Sequence, residues 1–120
     1  MAHTLKTSSG YTYTVSTVAI NAAKNDTREL VAAVAGKQIW VLGMVAGTNA
    51  AGTVTIRDST TAGRSGAIPL VVAGAQLIVL PAVTHPDYAW IKCGTATALQ
   101  AVLSVNTDLD GILVYATVTV

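Results

Sequence analysis

The sequence predicts an all-β fold, a sandwich or a barrel, on three observations. Apolar and polar residues alternate with a period of two in segments crowded with Val, Ile and Thr. Clusters of Gly, Asn, Asp and Ser break those segments at roughly the 8–12-residue spacing of sandwiches and barrels. The chain has 120 residues, enough for one domain with a moderate core.

The elements follow in chain order. "MAHTLKTSSG" (1–10) has no periodic pattern and reads as a flexible or docking arm. "YTYTVSTVAI" (11–20) alternates, but its apolar parity switches: Tyr11, Tyr13 and Val15 are odd, Val18 and Ile20 even. A bulge or a crossing between two surfaces would produce that switch. The one helix-like window, 19–35, is rich in Ala but broken at Asn25-Asp26-Thr27, so a strand is expected near 29–35. "QIWVLGMV" (38–45) is apolar on both faces, as a central strand covered on both sides would be. "GTNAAG" (47–52) reads as a hairpin turn into "TVTIR" (53–57), where Val54 and Ile56 share a face.

"DSTTAGRSG" (58–66) is a polar loop, and the Arg57–Arg64 segment is expected to form an exposed tip. "IPLVVAGAQLIVLPAV" (68–83) is short for a membrane-spanning helix, contains Gln76 and two prolines, and reads as buried strands. "THPDY" (84–88) is a turn. In "LQAVLSV" (99–105), Leu99, Ala101, Leu103 and Val105 share a face. "NTDLDG" (106–111) is a turn in which Gly111 would adopt a positive φ. In "GILVYATVTV" (111–120), Ile112, Val114, Ala116, Val118 and Val120 line one face, and Leu113, Tyr115, Thr117 and Thr119 the other.

Composition narrows the function classes. Hydrophobic residues make up 52% and charged residues 11%, against about 25% charged in an average domain. That is more apolar surface than a core of this size absorbs, and it points to contacts between subunits. The net charge of +1 is scattered, with no basic stripe for nucleic acid and no basic amphipathic membrane helix. A lone cysteine, Cys93, forms no internal disulfide and fits a reducing compartment. The N-terminus lacks the apolar stretch of a signal peptide.

Each chemical motif meets a simpler explanation. Gly36-Lys37 lacks the earlier glycine and the following Ser/Thr of a phosphate loop, and a strand follows instead of a helix, so it reads as a turn glycine and a solvated lysine at a strand entrance. Asn106, Asp108, Asp110 and Gly111 match the start of a calcium loop, but the twelfth position is Thr117 rather than a bidentate carboxylate. His3, His85 and Cys93 are too few and too scattered for a zinc site. "GRSG" is no nucleophile elbow, and His85–Asp87 makes a triad only if a Ser or Cys lies beside His85. No catalytic, cofactor-binding or metal residue is assigned. Trp40, Trp90, Tyr88 and Tyr115 are candidates for core or interface packing, while Tyr88 and Trp90, joined by Trp40, could line a glycan-binding face.

The order of "ELVAAVAGKQIWVLGMV", "TVTIR", a Gly-rich loop, "GAIPL", "LIVLP", a Trp-bearing strand, "TALQAVLSV" and "DGILVYATVTV" resembles the small jelly-roll decoration, cement or head-fibre proteins of tailed bacteriophages. The resemblance spans about residues 28–120. Its members commonly end in G-x-L-x-Y, and the corresponding stretch here is Gly111 to Tyr115. It implies a jelly-roll sandwich at 28–120 preceded by an arm and first strand at 1–27. It also implies a non-enzymatic homotrimer on the capsid surface, made in the host cytoplasm and bound to the major capsid protein. On that reading the arm residues Leu5, Tyr11 and Tyr13 contact the capsid or a neighbour, and Trp40 and Tyr115 pack the core or the trimer. The competing expectation is a tail-fibre or spike module that binds host-surface glycan.

Overall fold

A computed structural model describes residues 5–22, 27–49, 51–59, 68–70, 77–104 and 108–120. They form two antiparallel sheets facing each other, a β-sandwich. The strands are β1 (Leu5–Lys6), β2 (Thr12–Ala22), β3 (Thr27–Val31), β4 (Lys37–Thr48), β5 (Gly52–Asp58), β6 (Ile68–Leu70), β7 (Ile78–Leu80), β8 (Ile91–Lys92), β9 (Leu99–Leu103) and β10 (Leu109–Thr119). The larger sheet runs β1-β2-β10-β4-β7, with β8 also paired to β4; the smaller runs β3-β9-β5-β6. A 3₁₀ turn covers Pro86–Tyr88.

The β4 segment is the central strand the sequence predicts, but its cover on both faces stops at Met44, and Val45 is exposed. It pairs with β10 along one edge and with β7 and β8 along the other. Its doubly apolar pattern serves two cores. Ile39, Val41, Met44 and Ala46 enter the main core between the sheets, together with Val54, Ile56, Leu99, Ala101, Leu103, Leu109 and Leu113. Trp40 and Leu42 enter a second, smaller core with Tyr13, Ala116 and Val118. The register against β10 slips between Val114, opposite Gly43, and Tyr115, opposite Val41. That bulge adds one residue at Leu42, which is why the main core is fed by odd residues before it and even residues after it.

The parity switch in the first long strand has a different cause. The β2–β10 register runs without a break from Ala22–Leu109 to Thr12–Thr119. Tyr13 lies in the second core, while Val18 and Ile20 pack toward the main one. The strand thus serves two surfaces and needs no bulge.

Several expectations are corrected. Residues 47–52 are no hairpin: β4 and β5 lie in different sheets, so the turn is a crossover. The segment between β9 and β10 crosses in the same way. The two crossovers are tied together, with the Asp108 amide donating to Asn49 Oδ1 at 3.0 Å and the Thr53 amide donating to Ser104 Oγ at 2.7 Å. Gly111 is not a positive-φ turn residue; it lies inside β10 between Ile20 and Ala46. A Cβ there would run into the Val45 carbonyl and come within 2.7 Å of Ala46 Cα, so close strand approach requires the glycine.

Gly36 does hold a positive φ of 73° and turns the chain into β4. The strand expected at 29–35 ends at Val31, because its partner β9 starts at Leu99, opposite that residue. Of the apolar run 68–83, Ile78 is buried but Leu77 and Val79 are exposed, and 71–76 lie outside the described residues. Val105, placed on the Leu99 face, and His3 lie outside them too.

Candidate functional site

The outer face of the larger sheet divides into two halves. Toward one end, residues 83–89 cross over it. Val83 and Ala89 pack on the second core, the Val83 amide donates to the Leu42 carbonyl at 3.0 Å, and Pro86 is fully buried. The His85 ring meets Tyr13 edge-on at 5.9 Å. Lys92 stacks its ammonium 4.3 Å from the Trp40 ring centre, and Trp40 Nε1 donates to Gln38 Oε1 at 2.9 Å.

Toward the other end the face is bare. Ala19, Ile112, Val45 and Val79 stand in register on four neighbouring strands. Ile112 is 56%, Val79 55% and Val45 45% exposed, too open for a core and too contiguous for scattered surface residues. Beside them an apolar groove is lined by Gly43, Val45, Val79, Pro81, Ile112 and Val114. Single-sequence reasoning placed Ile112 and Val114 on one face, but the pattern could not say that half of that face would lack a cover.

Residues 5–11 are a pinned hairpin rather than a loose arm. The Thr7 amide donates to the Tyr11 carbonyl at 2.8 Å, Gly10 turns at φ 84°, and Leu5 pairs with Tyr13. The Ser8 amide donates to both carboxylate oxygens of Asp87, at 3.3 and 3.2 Å, tying the hairpin to the 3₁₀ turn. Desolvation pushes the Asp87 carboxyl up. The hydrogen bonds from Ser8 and the charges of His85 and Lys92 outweigh it, and the net shift is downward.

The remaining predicted residues fall as follows. Leu5 and Tyr11 are exposed and free to meet a neighbour. Tyr13 is not: it is 7% exposed within the second core, because Val118 and the His85 segment enclose it. Trp40 is buried in that same core, and Tyr115 packs half-buried on the main one. Arg57 is not in a loop tip; it sits half-buried within β5, its Nε donating to Gln100 Oε1 at 3.2 Å. Arg64 lies outside the described residues.

Tyr88 and Trp90 do not share a strand face. One ends the 3₁₀ turn and the other precedes β8, both are exposed, and Trp90 Nε1 donates to the Pro81 carbonyl at 2.9 Å. Trp40 does not join them. Ser8 reaches Asp87 rather than His85, and His85 Nδ1 accepts from the Asp87 amide at 3.2 Å as the cap of the turn. Cys93 is buried among the main-core residues. Among the described residues no three His, Cys, Asp or Glu side chains gather into a metal-binding group, and no helix is long and apolar enough to cross a membrane.

Sequence reasoning also passed over Asp58. It is fully buried, and its Oδ2 accepts the Gly94 amide at 3.1 Å, while Ser59 exchanges hydrogen bonds with Ala98. These bonds moor the loop between β8 and β9 to the end of β5. "RDS" reads as the start of a polar loop, and nothing in it marks a buried carboxylate.

No family model, no curated protein and no solved structure matches this chain.

Proposed function

We propose that the chain is a structural, non-enzymatic virion protein with a jelly-roll fold that decorates a bacteriophage head from outside. In this reading it binds the major capsid protein as a homotrimer and stabilises the shell through binding energy alone, with no cofactor. One observation carries the reading: the bare apolar row Ala19–Ile112–Val45–Val79 on a sheet whose other face holds the main core. A chain with 11% charged residues that leaves such a row uncovered suits assembly in many copies. The likeness in element order to phage decoration proteins supplies the partner. Leu5 and Tyr11, exposed on the hairpin, are the proposed capsid or neighbour contacts.

The test is co-sedimentation with expanded, undecorated heads. Wild type should pellet with heads, and Ile112→Ser with Val79→Ser should pellet less. A folded wild-type protein that stays in the supernatant at every concentration overturns the reading.

A second reading is favoured by the exposure of Tyr88 and Trp90. A tail-fibre or spike module would stack host-surface glycan on them. Host polysaccharide should then shift tryptophan fluorescence in wild type and not in Trp90→Ala. No response in wild type removes it.

A further inference from the structure

Among the described residues the two sheets end in several strand edges, and most are guarded. The β3 edge carries Arg28 and Glu29. The β6 edge carries Pro69, and β7 is three residues long with Pro81 following it. The β1 strand has two residues, one of them Lys6. Short edges, charges and prolines are the devices that stop strands from pairing with foreign ones.

The outer edge of β2 has none of them in its own sequence, and a charge stands near it only at its far end, where Glu29 and Leu30 of β3 line a concavity with Ala19, Ile20 and Asn21. Among the described residues β1 pairs only with Thr12 and Tyr13, so residues 14–22 have strand partners on the β10 side alone. The stretch "TVSTVAINA" holds no charge, no proline and no glycine. Its register against β10 is unbroken, so no bulge twists it away. At about 3.4 Å per residue it offers roughly 30 Å of backbone donors and acceptors.

We propose that this edge pairs antiparallel with the same edge of a second copy, joining two larger sheets into one across a two-fold axis. In such a two-fold pair only the residue on the axis meets its own copy, and a strand with no charged residue places no like charges opposite each other in any register. With the axis at Val18, the midpoint of the open stretch, Thr17 faces Ala19 of the other copy and Val15 faces Asn21. All four side chains project from the outer face, the face that bears the bare apolar row. Pairing therefore extends that row across two copies. The inference does not depend on the capsid reading, because it concerns the isolated protein.

Analytical ultracentrifugation with amide exchange tests it. Wild type should form dimers, or hexamers if trimers are joined by this edge. The amides of residues 14–22 should gain protection as concentration rises. The exposed positions 17 and 19 permit charge tests with little folding cost. T17K/A19K should weaken association by at least about tenfold, because like charges then face each other across the axis. T17K/A19E should restore it, since opposite charges face each other in this register. Circular dichroism controls for folding. A wild type that stays monomeric near 1 mM (about 4 kcal/mol of association at most) overturns the proposal. So does a trimer whose 14–22 amides exchange freely, a T17K/A19K variant that associates as wild type does, or a T17K/A19E variant no tighter than T17K/A19K.

Discussion

The inner and outer faces of the larger sheet are built from the same strands and nearly the same residue types, yet they differ in fate. Inward, Leu113, Leu109, Ile39 and Val41 are at most 1% exposed against the second sheet. Outward, Leu42, Ala116 and Val118 are buried by the 83–89 segment, while a few residues along the same strands Ile112 and Val45 are bare. Alternation decides which face a side chain joins, and the length of the covering element decides whether that face is core or surface.

Substitutions sharpen that contrast. Leu113→Ala removes a fully buried side chain gripped by both sheets and should cost about 2–5 kcal/mol in denaturant unfolding. Leu42→Ala opens the same volume beneath a single crossing segment, which has more freedom to settle into it, so its loss should fall in the lower half of that range. Equal losses would mean that the 83–89 segment is as rigid as a sheet. Ile112→Ser, on the bare half, should change stability by no more than about 0.5 kcal/mol while reducing self-association or head binding. A large stability loss there would show that the row is already covered within one chain.

The smallest effect is a pH effect at the hairpin. Asp87 has its carboxyl lowered from the ordinary 3.8, so the stability it lends to the Ser8 contact is full above that value. It is lost as the pH falls from there through the lower, folded value. The Ser8 amide resonance should titrate with a midpoint below 3.8, and Asp87→Asn should abolish the titration. A midpoint at or above 3.8 would mean that Ser8 does not hold the carboxylate.

Much of this was legible in the chain. The period-two runs marked β5, β9 and β10 closely, the doubly apolar run marked β4, and Gly36 was readable as a corner. Other features were not, for reasons that reach beyond local pattern. The sequences around 47–52 and 106–111 carry turn residues, and turn residues do not say whether the next strand pairs with its neighbour or crosses to the opposite sheet. Gly111 looked like a turn glycine because its role depends on Val45 and Ala46, more than sixty residues away. Tyr13 looked like part of an arm because the segment enclosing it, around His85, is equally remote.

What the sequence determined by itself is the class: strands from alternation, in a chain with many apolar residues and few charges. Only the tertiary structure decided where those apolar residues went. The two sheets bury the main core between their inner faces, but one short crossing segment covers only half of an outer face, and the edge of β2 is left without a partner among the described residues. Burial is a property of what lies across from a residue, and a linear pattern records only what lies beside it.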